Sequence, residues 1–448
     1  MRSTVRLSQY RREVLWTNFW LIPTMEVFAA IALFWATLQV DRAVYHHVFT
    51  LPAWVEAGSA DTAREILLAV AAAIMTVIGI NFSVTIVTLT LASTQFGPRM
   101  LRNFIRDRGT QLTLGTFVAT AVYCVLVLLA VGPGEHGEFV PHFSVSIVFV
   151  LVLVDLAVLI YFLHHIAIAI QLPFVIANIA GDLGRYLRVR RPDIRMRRQS
   201  DPDDAEEISG LIATVESSGS RVPTPKGGYL QAIRYDKLVR LASEFDGVIH
   251  VPYRPGHFLV EGSELVRVWP PHAAEAVARC LKRAQVTGPV RTLAQDPAFA
   301  VDQLVEIAIR ALSPAVNDTY TAMTCVDWLG NTLCRLSQVW TPAPAYRDRA
   351  GRIRVICEQV SYENLMRRSF DKIRQASSGM PALFMRLLEA LKAIMDQTKD
   401  PRHAEVLMDQ ANMVHRASLE TVSEQLDHAG VELRYNAVAA SYAAKMPA

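Results

Sequence analysis

Long runs of apolar residues dominate the first 171 residues of the chain and then stop. A helix needs about 20 mostly apolar residues to cross the hydrocarbon core of a bilayer. Four runs reach that length, and a buried soluble helix would have to imitate such a run four times in succession. The pattern therefore predicts four transmembrane helices, at about residues 16–40, 66–95, 112–131 and 143–171.

The rest of the chain has the hydropathy pattern of a soluble protein. Residues 172–208 are basic and polar, which predicts a juxtamembrane segment and linker. Residues 209–270 contain short apolar runs between turn residues, and residues 271–448 show helical periodicity. The predicted fold is an α-helical polytopic membrane domain at residues 1–171, followed by an α+β cytoplasmic domain with a small β-rich module and a helical C-terminal part.

The β-rich module carries a hairpin-like pattern. A Pro255-Gly256 turn precedes one apolar run, and Gly262 separates that run from a second one that contains Leu265. This spacing resembles the turn of barrel-sandwich domains such as those that carry biotin or lipoate. The carrier lysine motif is absent, so we expect a structural or ligand-sensing module and not a swinging arm.

Arginine placement predicts the orientation of the helices. Basic residues concentrate before the first helix, between the second and third, and after the fourth, whereas residues 132–142 contain no Lys or Arg. Because positively charged segments stay on the cytoplasmic side, we expect both termini and residues 172–448 in the cytoplasm of a bacterium. The three basic groups are Arg2, Arg6, Arg11 and Arg12; Arg99, Arg102, Arg106 and Arg108; and Arg185, Arg188, Arg190 and Arg191.

The second basic group belongs to a short amphipathic segment. Gly97-Pro98 is expected to end the second helix, because proline lacks an amide and restricts the residue before it. Apolar residues then alternate with arginines in a helical pattern, which suits a helix at the membrane interface. Arg99, Arg102, Arg106 and Arg108 are the interfacial basic residues, and either lipid headgroups or acidic groups of the cytoplasmic domain are their expected partners.

The second transmembrane helix has a polar stripe. Asn81, Thr85, Thr88, Ala92 and Gln95 recur at intervals of four, three, four and three, which places them on one helical face. One interpretation is that Asn81, Thr85, Thr88 and Gln95 line a water-filled pore, because unpaired polar groups are costly in hydrocarbon. The other is contact between helices through hydroxyl groups. A second face, with Ser83, Thr90 and Thr94, favours helix contact on at least one side.

Two carboxyl groups are predicted to lie inside the hydrocarbon. Glu26 in the first helix and Asp155 in the fourth fall near the bilayer midplane, at the depth of Asn81 and Tyr123, if each helix rises about 1.5 Å per residue. An ionisable group at that depth suggests a role with ions or protons. The alternative is a structural cluster, in which a protonated carboxyl group bonds to Tyr123 or Asn81.

Other features give weaker indications. Ser313, Asn317 and Asp318 form a polar turn between two apolar helices, which is either a ligand site or a helix-turn-helix joint. The histidine pairs at 46–47 and 164–165 point about 100° apart on a helix and would chelate poorly, so no metal is expected. The five cysteines show no paired spacing, and no nucleotide, protease or hydrolase motif occurs, so no cofactor and no enzyme activity is expected.

Two sequence blocks carry a family resemblance. The segment LASTQFGPRMLRNFIRDR, residues 91–108, and the later SPAVNDTYTA, residues 313–322, together with the four-helix layout, resemble a family of bacterial predicted membrane proteins known as a domain of unknown function. The resemblance spans most of the chain and implies a bacterial inner-membrane location. It supplies no activity and no catalytic residues.

Function is therefore predicted from the polar residues of the membrane domain. The first hypothesis is a homo-oligomeric ion channel, because one four-helix subunit offers little room for a pore and a ring of subunits supplies it. Acidic external loops favour inorganic cations. The second hypothesis is a membrane-anchored sensor or assembly scaffold, and a secondary transporter ranks below both because no repeat is visible. The net charge of +3 is too small to indicate a nucleic-acid partner.

Overall fold

The protein is described by a computed structural model that covers residues 20–46, 58–96, 107–134, 137–189, 202–339 and 344–446. The chain divides into two compact units, Met1–Phe174 and Val175–Ala448. Each unit has its own core, and each is described separately below.

The first unit is built from four long apolar helices. Each is long and apolar enough to cross a membrane, which confirms the predicted four-helix membrane domain. A short two-stranded ribbon, β1 (Gly132–Gly134) with β2 (Gly137–Phe139), joins the last two helices. The helices are α1 (Leu21–Tyr45), α2 (Ala60–Phe96), α3 (Arg108–Ala130) and α4 (His142–Ala169).

The third helix is the centre of this bundle. It contacts α1, α2 and α4. Half of the residues in its apolar span are buried, against 17 to 28% in the other three helices. Phe117, Ala121, Cys124 and Val127 of α3 form much of the core. Helix α3 is therefore the most buried of the four.

The second unit begins with two helices where the sequence predicted a linker. Helix α5 (Leu172–Val189) buries an apolar face that includes Ile176, Ile179 and Leu183, and α6 (Pro202–Ser218) follows. The described residues of the predicted juxtamembrane segment and linker, 172–189 and 202–208, are thus helical, and α6 continues to Ser218 within the segment predicted to be β-rich.

Two sheets follow, and helices pack on them. The five-stranded sheet has the order β3-β7-β5-β10-β9, and only the β5–β10 pair is parallel. The three-stranded sheet has the order β6-β4-β8 and is antiparallel. The strands are β3 (Ser220–Pro223), β4 (Gly228–Ile233), β5 (Val248–Val251), β6 (Phe258–Leu259), β7 (Glu264–Trp269), β8 (Gln285–Gly288), β9 (Ala345–Arg347) and β10 (Ile353–Cys357).

The predicted hairpin around Gly262 does not form. Strand β6 pairs with β4 in the small sheet, whereas β7 pairs with β3 and β5 in the large one. The chain crosses from one sheet to the other at Gly262, whose φ of +78° suits glycine. The turn residues were identified correctly, but a turn pattern does not specify which strands pair.

The β-rich module also does not end at residue 270. Strands β8, β9 and β10 come from the segment that the sequence assigned to helices. All five residues of β10 are buried, including Arg354, whose guanidinium group donates to Asp348, Asp246 and the carbonyl oxygen of Gly247. A run of five residues is too short to show periodicity.

The remaining helices confirm the predicted helical C-terminal part. The predicted helix at residues 403–428 is divided at Val422, and the Glu424 side chain accepts a hydrogen bond from the Leu426 amide to begin the next helix. Two earlier helices pack on the large sheet: α7 (Tyr235–Glu244) and α8 (Ala274–Ala284). The others are α9 (Pro297–Ala311), α10 (Thr319–Val339), α11 (Tyr362–Ala376), α12 (Pro381–Gln397), α13 (Pro401–Thr421) and α14 (Gln425–Ala443).

A buried ion-pair network connects the β-rich and helical parts of this unit. Arg291 lies 2.6 Å from Asp296 and 2.5 Å from Asp302, and Arg368 also contacts Asp302. Asp296 is only 2% exposed, and it lies so close to Gly256 that a Cβ atom there would overlap its carboxyl group. Burial raises the pKa of Asp296, and the Arg291 guanidinium opposes that rise.

Candidate functional site

The central helix of the membrane unit carries a line of buried polar side chains. Their positions are separated by three, seven and three residues, so they lie close to one face of α3. Over about 20 Å of helix, at 1.5 Å per residue, they place hydroxyl groups inside an apolar bundle. The four residues are Thr110, Thr113, Thr120 and Tyr123, and all are buried. The three threonines were not among the residues predicted from the sequence, although their spacing of three and seven residues places them on one helical face.

At the C-terminal end of α3, a buried carboxylate ties two other helices together. Asp41 of α1 accepts hydrogen bonds from the amides of Phe143 and Ser144, at 2.7 and 3.0 Å, and from the Ser144 hydroxyl at 2.5 Å. It thus satisfies amides at the start of α4. Tyr123 of α3 joins this layer, with its hydroxyl 2.9 Å from that of Thr37.

Tyr123 therefore has different partners from those predicted. Its hydroxyl is shared between Thr37 and the carbonyl oxygen of Ser144, and neither Glu26 nor Asp155 is among its hydrogen-bond partners. Depth along a helix is readable from sequence, but the direction of a side chain around the helix is not.

The middle of the bundle holds Asp155 of α4. Asp155 is 5% exposed, and its Oδ1 accepts a hydrogen bond of 3.1 Å from the Thr120 hydroxyl. Its other oxygen, Oδ2, is buried and has no hydrogen-bond partner among the described residues. A buried carboxyl oxygen without a donor costs free energy in this apolar setting. Keeping a carboxyl group at position 155 therefore lowers the stability of the bundle, so a gain in stability does not explain its presence.

Glu26 of α1 lies against another part of the central helix. Its carboxyl group fills the space that a side chain at Gly115 would occupy, so only glycine fits there. Glu26 Oε2 is also buried without a partner in the described structure. Gly115 and Thr120 are five residues apart, about 7.5 Å along α3 and on different sides of it. The two carboxyl groups thus approach α3 at different levels.

Asn81 of α2 is the third unsatisfied group. It is 4% exposed, and neither its Nδ2 nor its Oδ1 has a hydrogen-bond partner among the described residues. Glu26, Asn81, Asp155 and Thr120 are called the intramembrane polar residues below. Three of the four keep a buried polar atom without a hydrogen-bond partner among the described residues, which is the chemical feature that sets them apart.

The polar stripe of α2 faces the interior of the bundle. Asn81 and Thr88 are buried and Thr85 is partly buried, and both threonines donate back to backbone carbonyls, of Asn81 and Val84. The side chain of Gln95 lies outside the described residues. Periodicity shows that residues share a face, but it does not show what that face meets.

The opposite stripe of α2 lies on the outer surface of the subunit. Ser83, Thr90 and Thr94 are exposed, although the sequence suggested that they contact other helices. The hydroxyl groups of Thr90 and Thr94 donate hydrogen bonds to backbone carbonyl oxygens of their own helix. Within one subunit, the Asn81 face of α2 therefore meets other helices, and the Ser83 face is left open to contact with another subunit.

The N-terminal end of α3 carries an acid–histidine pair. Asp107 accepts hydrogen bonds from the amide and hydroxyl of Thr110 and so caps α3. Its Oδ2 lies 2.7 Å from Nε2 of His165, and the Tyr161 ring stacks on that imidazole. From the sequence, His165 was assessed only as a metal ligand, and its contact with Asp107 was not predicted.

The other predicted residues have local roles or lie outside the described part. Arg99, Arg102 and Arg106 fall outside it, and Arg108 is exposed at the start of α3. In the turn, Asp318 accepts from the amide and hydroxyl of Thr321, which lowers its pKa and caps α10. Ser313 donates to the Arg310 carbonyl, and Asn317 adopts a φ of +50°. These contacts favour a helix-turn-helix joint.

Among the described residues, no group of three or more His, Cys, Asp or Glu side chains is placed to hold a metal ion. The intramembrane polar residues carry carboxyl, amide and hydroxyl oxygens inside the bundle. Such oxygens accept protons or coordinate small hard cations.

Comparison with known proteins gives a family and no function. The profile of a family described as "Predicted membrane protein (DUF2254)" matches residues 16–393. Uncharacterized proteins of Mycobacterium bovis and Mycobacterium tuberculosis are 31% identical over 383 residues, which is 84% of this chain and 71% of each of those proteins. No solved structure matches significantly.

Proposed function

The chain belongs to this family of predicted membrane proteins, and we propose that it is a homo-oligomeric channel that conducts cations across the bacterial inner membrane. The observation that carries the proposal is the pair of buried, incompletely bonded carboxyl groups, Glu26 and Asp155, inside an apolar helix bundle. Ionisable groups at membrane depth are rare and costly, and they commonly mark ion or proton pathways.

The structure supports a path along α3 better than a pore lined by α2. The polar side chains between Thr110 and Tyr123 follow α3 from one end to the other, and Asp155 joins them at Thr120. A single subunit offers little room for a pore, so this path would open only in the assembled ring, where the stripe at Asn81 would border it from the α2 side. Carboxyl oxygens favour cations over anions. The large second unit would gate or shape the cytoplasmic exit.

Planar-bilayer recording of the purified full-length protein tests conduction directly. We expect cation-selective current that is absent from bilayers prepared with the same detergent and no protein. A silent protein, reconstituted at a density confirmed by protein quantification, would favour the membrane-anchored sensor or scaffold instead.

We propose that both termini are cytoplasmic, because the arginine-rich segments flank the first, second and fourth helices on one side. A reporter fused after residue 135 is expected to be active in the periplasm, and one fused after residue 200 in the cytoplasm. Cytoplasmic activity of both fusions would contradict this orientation.

Assembly is expected to use the outward face of α2, where Ser83, Thr90 and Thr94 would allow close helix approach. The Ser83→Trp/Thr90→Trp variant is expected to dissociate into single subunits in mild detergent. Leu153→Trp, on the exposed face of α4, is the control and should assemble like the wild type. Native mass measurement distinguishes the outcomes.

Wild-type protein that is a single subunit in both detergent and lipid would contradict assembly altogether. If the double tryptophan variant keeps the wild-type mass, subunits meet through a different face.

A further inference from the structure

A cavity of about 530 Å³ lies between α7 and α8 on the second unit. This volume falls within the range of small-molecule sites, roughly 300–1,000 Å³. Its lining has four positively charged side chains, one thiol and no carboxylate: Lys237, Arg279, Cys280, Lys282 and Arg283. The cavity is therefore strongly cationic, although the whole chain carries a net charge of only +3.

Most of these charges are not neutralised by the protein itself. Lys237, Lys282 and Arg283 form no ion pair with any residue that the structure describes. Arg279 lies 3.4 Å from Glu275, but both side chains are more than 70% exposed, so the pair is weak. Two carboxylates act electrostatically on Cys280: Asp236, which is already bonded to Arg234 and Arg240, and Glu244, which forms no ion pair with a described residue.

Helix electrostatics explains only part of the cluster. Lys282 and Arg283 occupy the last turn of α8, where cations favour the negative end of the helix dipole. Lys237 lies on a different helix and Arg279 lies one turn earlier. Cys280 also lines the cavity, and it is half-buried because it packs against the hydrophobic core of the unit.

We propose that this cavity binds a polyanionic phosphate compound of about nucleotide size. Four unneutralised or weakly paired cations around one cavity match the several negative charges of a di- or triphosphate. Lysine and arginine are the usual partners of phosphate groups in proteins. The site lies in the second unit, which is proposed to gate or shape the exit, so binding there would regulate the channel.

The native cysteine gives the test its readout. Cys325, Cys357 and Cys124 are buried, so the Cys334→Ser variant keeps Cys280 as the one partly exposed thiol among the four that remain. Burial raises the pKa of Cys280, and the ammonium group of Lys237 opposes that rise. The full-length variant in phosphatidylcholine nanodiscs is treated with anionic or cationic methanethiosulfonate, and labelling of Cys280 is followed by mass spectrometry.

We expect the anionic reagent to react roughly tenfold faster than the cationic one, because the cavity concentrates anions. Adenosine triphosphate at ten times its dissociation constant should slow labelling about tenfold by mass action, and chloride at equal ionic strength should not. The Lys237→Gln/Lys282→Gln variant is expected to lose both effects. The matched control, Lys399→Gln/Arg416→Gln, removes two exposed cations elsewhere in the unit and should retain them.

The source of the phosphate is resolved by changing the lipid. If phosphatidylglycerol nanodiscs protect Cys280 when no soluble phosphate is added, the site takes a lipid headgroup. If neither adenosine triphosphate, pyrophosphate nor phosphatidylglycerol protects Cys280, or if protection survives Lys237→Gln/Lys282→Gln, the proposal is overturned.

Discussion

Replacing Asp155 with asparagine is expected to reduce the cation current by roughly tenfold or more while the protein still folds and assembles. The amide keeps the size of the side chain and can still accept the hydrogen bond from Thr120. It cannot carry negative charge or exchange a proton. If Asp155 were kept only for packing, this nearly isosteric change would alter stability and leave conduction intact.

Matched variants make this comparison specific. Glu420→Gln removes an exposed carboxylate of α13 in the second unit and should leave the current close to that of wild type. Glu26→Gln should behave like Asp155→Asn if both carboxyl groups line one path. A variant Asp155→Asn that conducts normally and melts at a lower temperature would assign this residue a structural role.

Replacing Arg291 with methionine is expected to lower the free energy of unfolding of the second unit by about 3–5 kcal/mol. This is the usual cost of removing one partner of a buried ion pair and leaving the other charge unpaired. The methionine leaves Asp296 and Asp302 without their shared guanidinium group, and Asp296 is nearly inaccessible to water. Denaturant unfolding of the full-length protein, followed by hydrogen exchange of the β-rich module, measures the loss. Arg279→Met, at an exposed pair, should cost less than about 1 kcal/mol.

The loss should depend on pH in a defined direction. Burial already raises the pKa of folded Asp296 above the ordinary 3.8, and without Arg291 it rises further. The folded variant then binds a proton that the unfolded chain releases, so its stability falls as pH increases from 3.8 through the raised folded value. Acidification should therefore recover part of the loss. Arg291→Met/Asp296→Leu should also recover part of it, and equal destabilisation at all pH values would contradict the buried-charge explanation.

The sequence predicted the membrane helices well because length and composition alone decide whether a segment can cross a bilayer. It identified Glu26 and Asp155 for the same reason, since a carboxyl group in an apolar run is conspicuous. It did not identify Asp41, which it placed in a loop, although α1 continues to Tyr45. The role of Asp41 depends on the start of α4, because its carboxylate accepts hydrogen bonds from Phe143 and Ser144 there.

The errors concern relations between distant segments. Periodicity placed Asn81 and Thr88 on one face of α2, but nothing local shows that α3 is the central helix against which this face packs. Thr113 and Thr120 were not predicted as site residues, because threonine is common in membrane helices, where its hydroxyl group often bonds to a carbonyl of its own helix. Strand β10 was missed because its parallel partner, β5, lies about one hundred residues earlier in the chain.

The position of β10 has a consequence for synthesis of the protein. It lies between β5 and β9, yet it follows β5 by about one hundred residues, which a ribosome adds in roughly 5–20 s. During that time the nascent sheet presents β5 as an open edge with unpaired amides and carbonyls, next to the apolar side chains of Val248, Ile249 and Val251. That open edge is available for pairing with another chain until β10 arrives, so slowing translation is expected to increase aggregation.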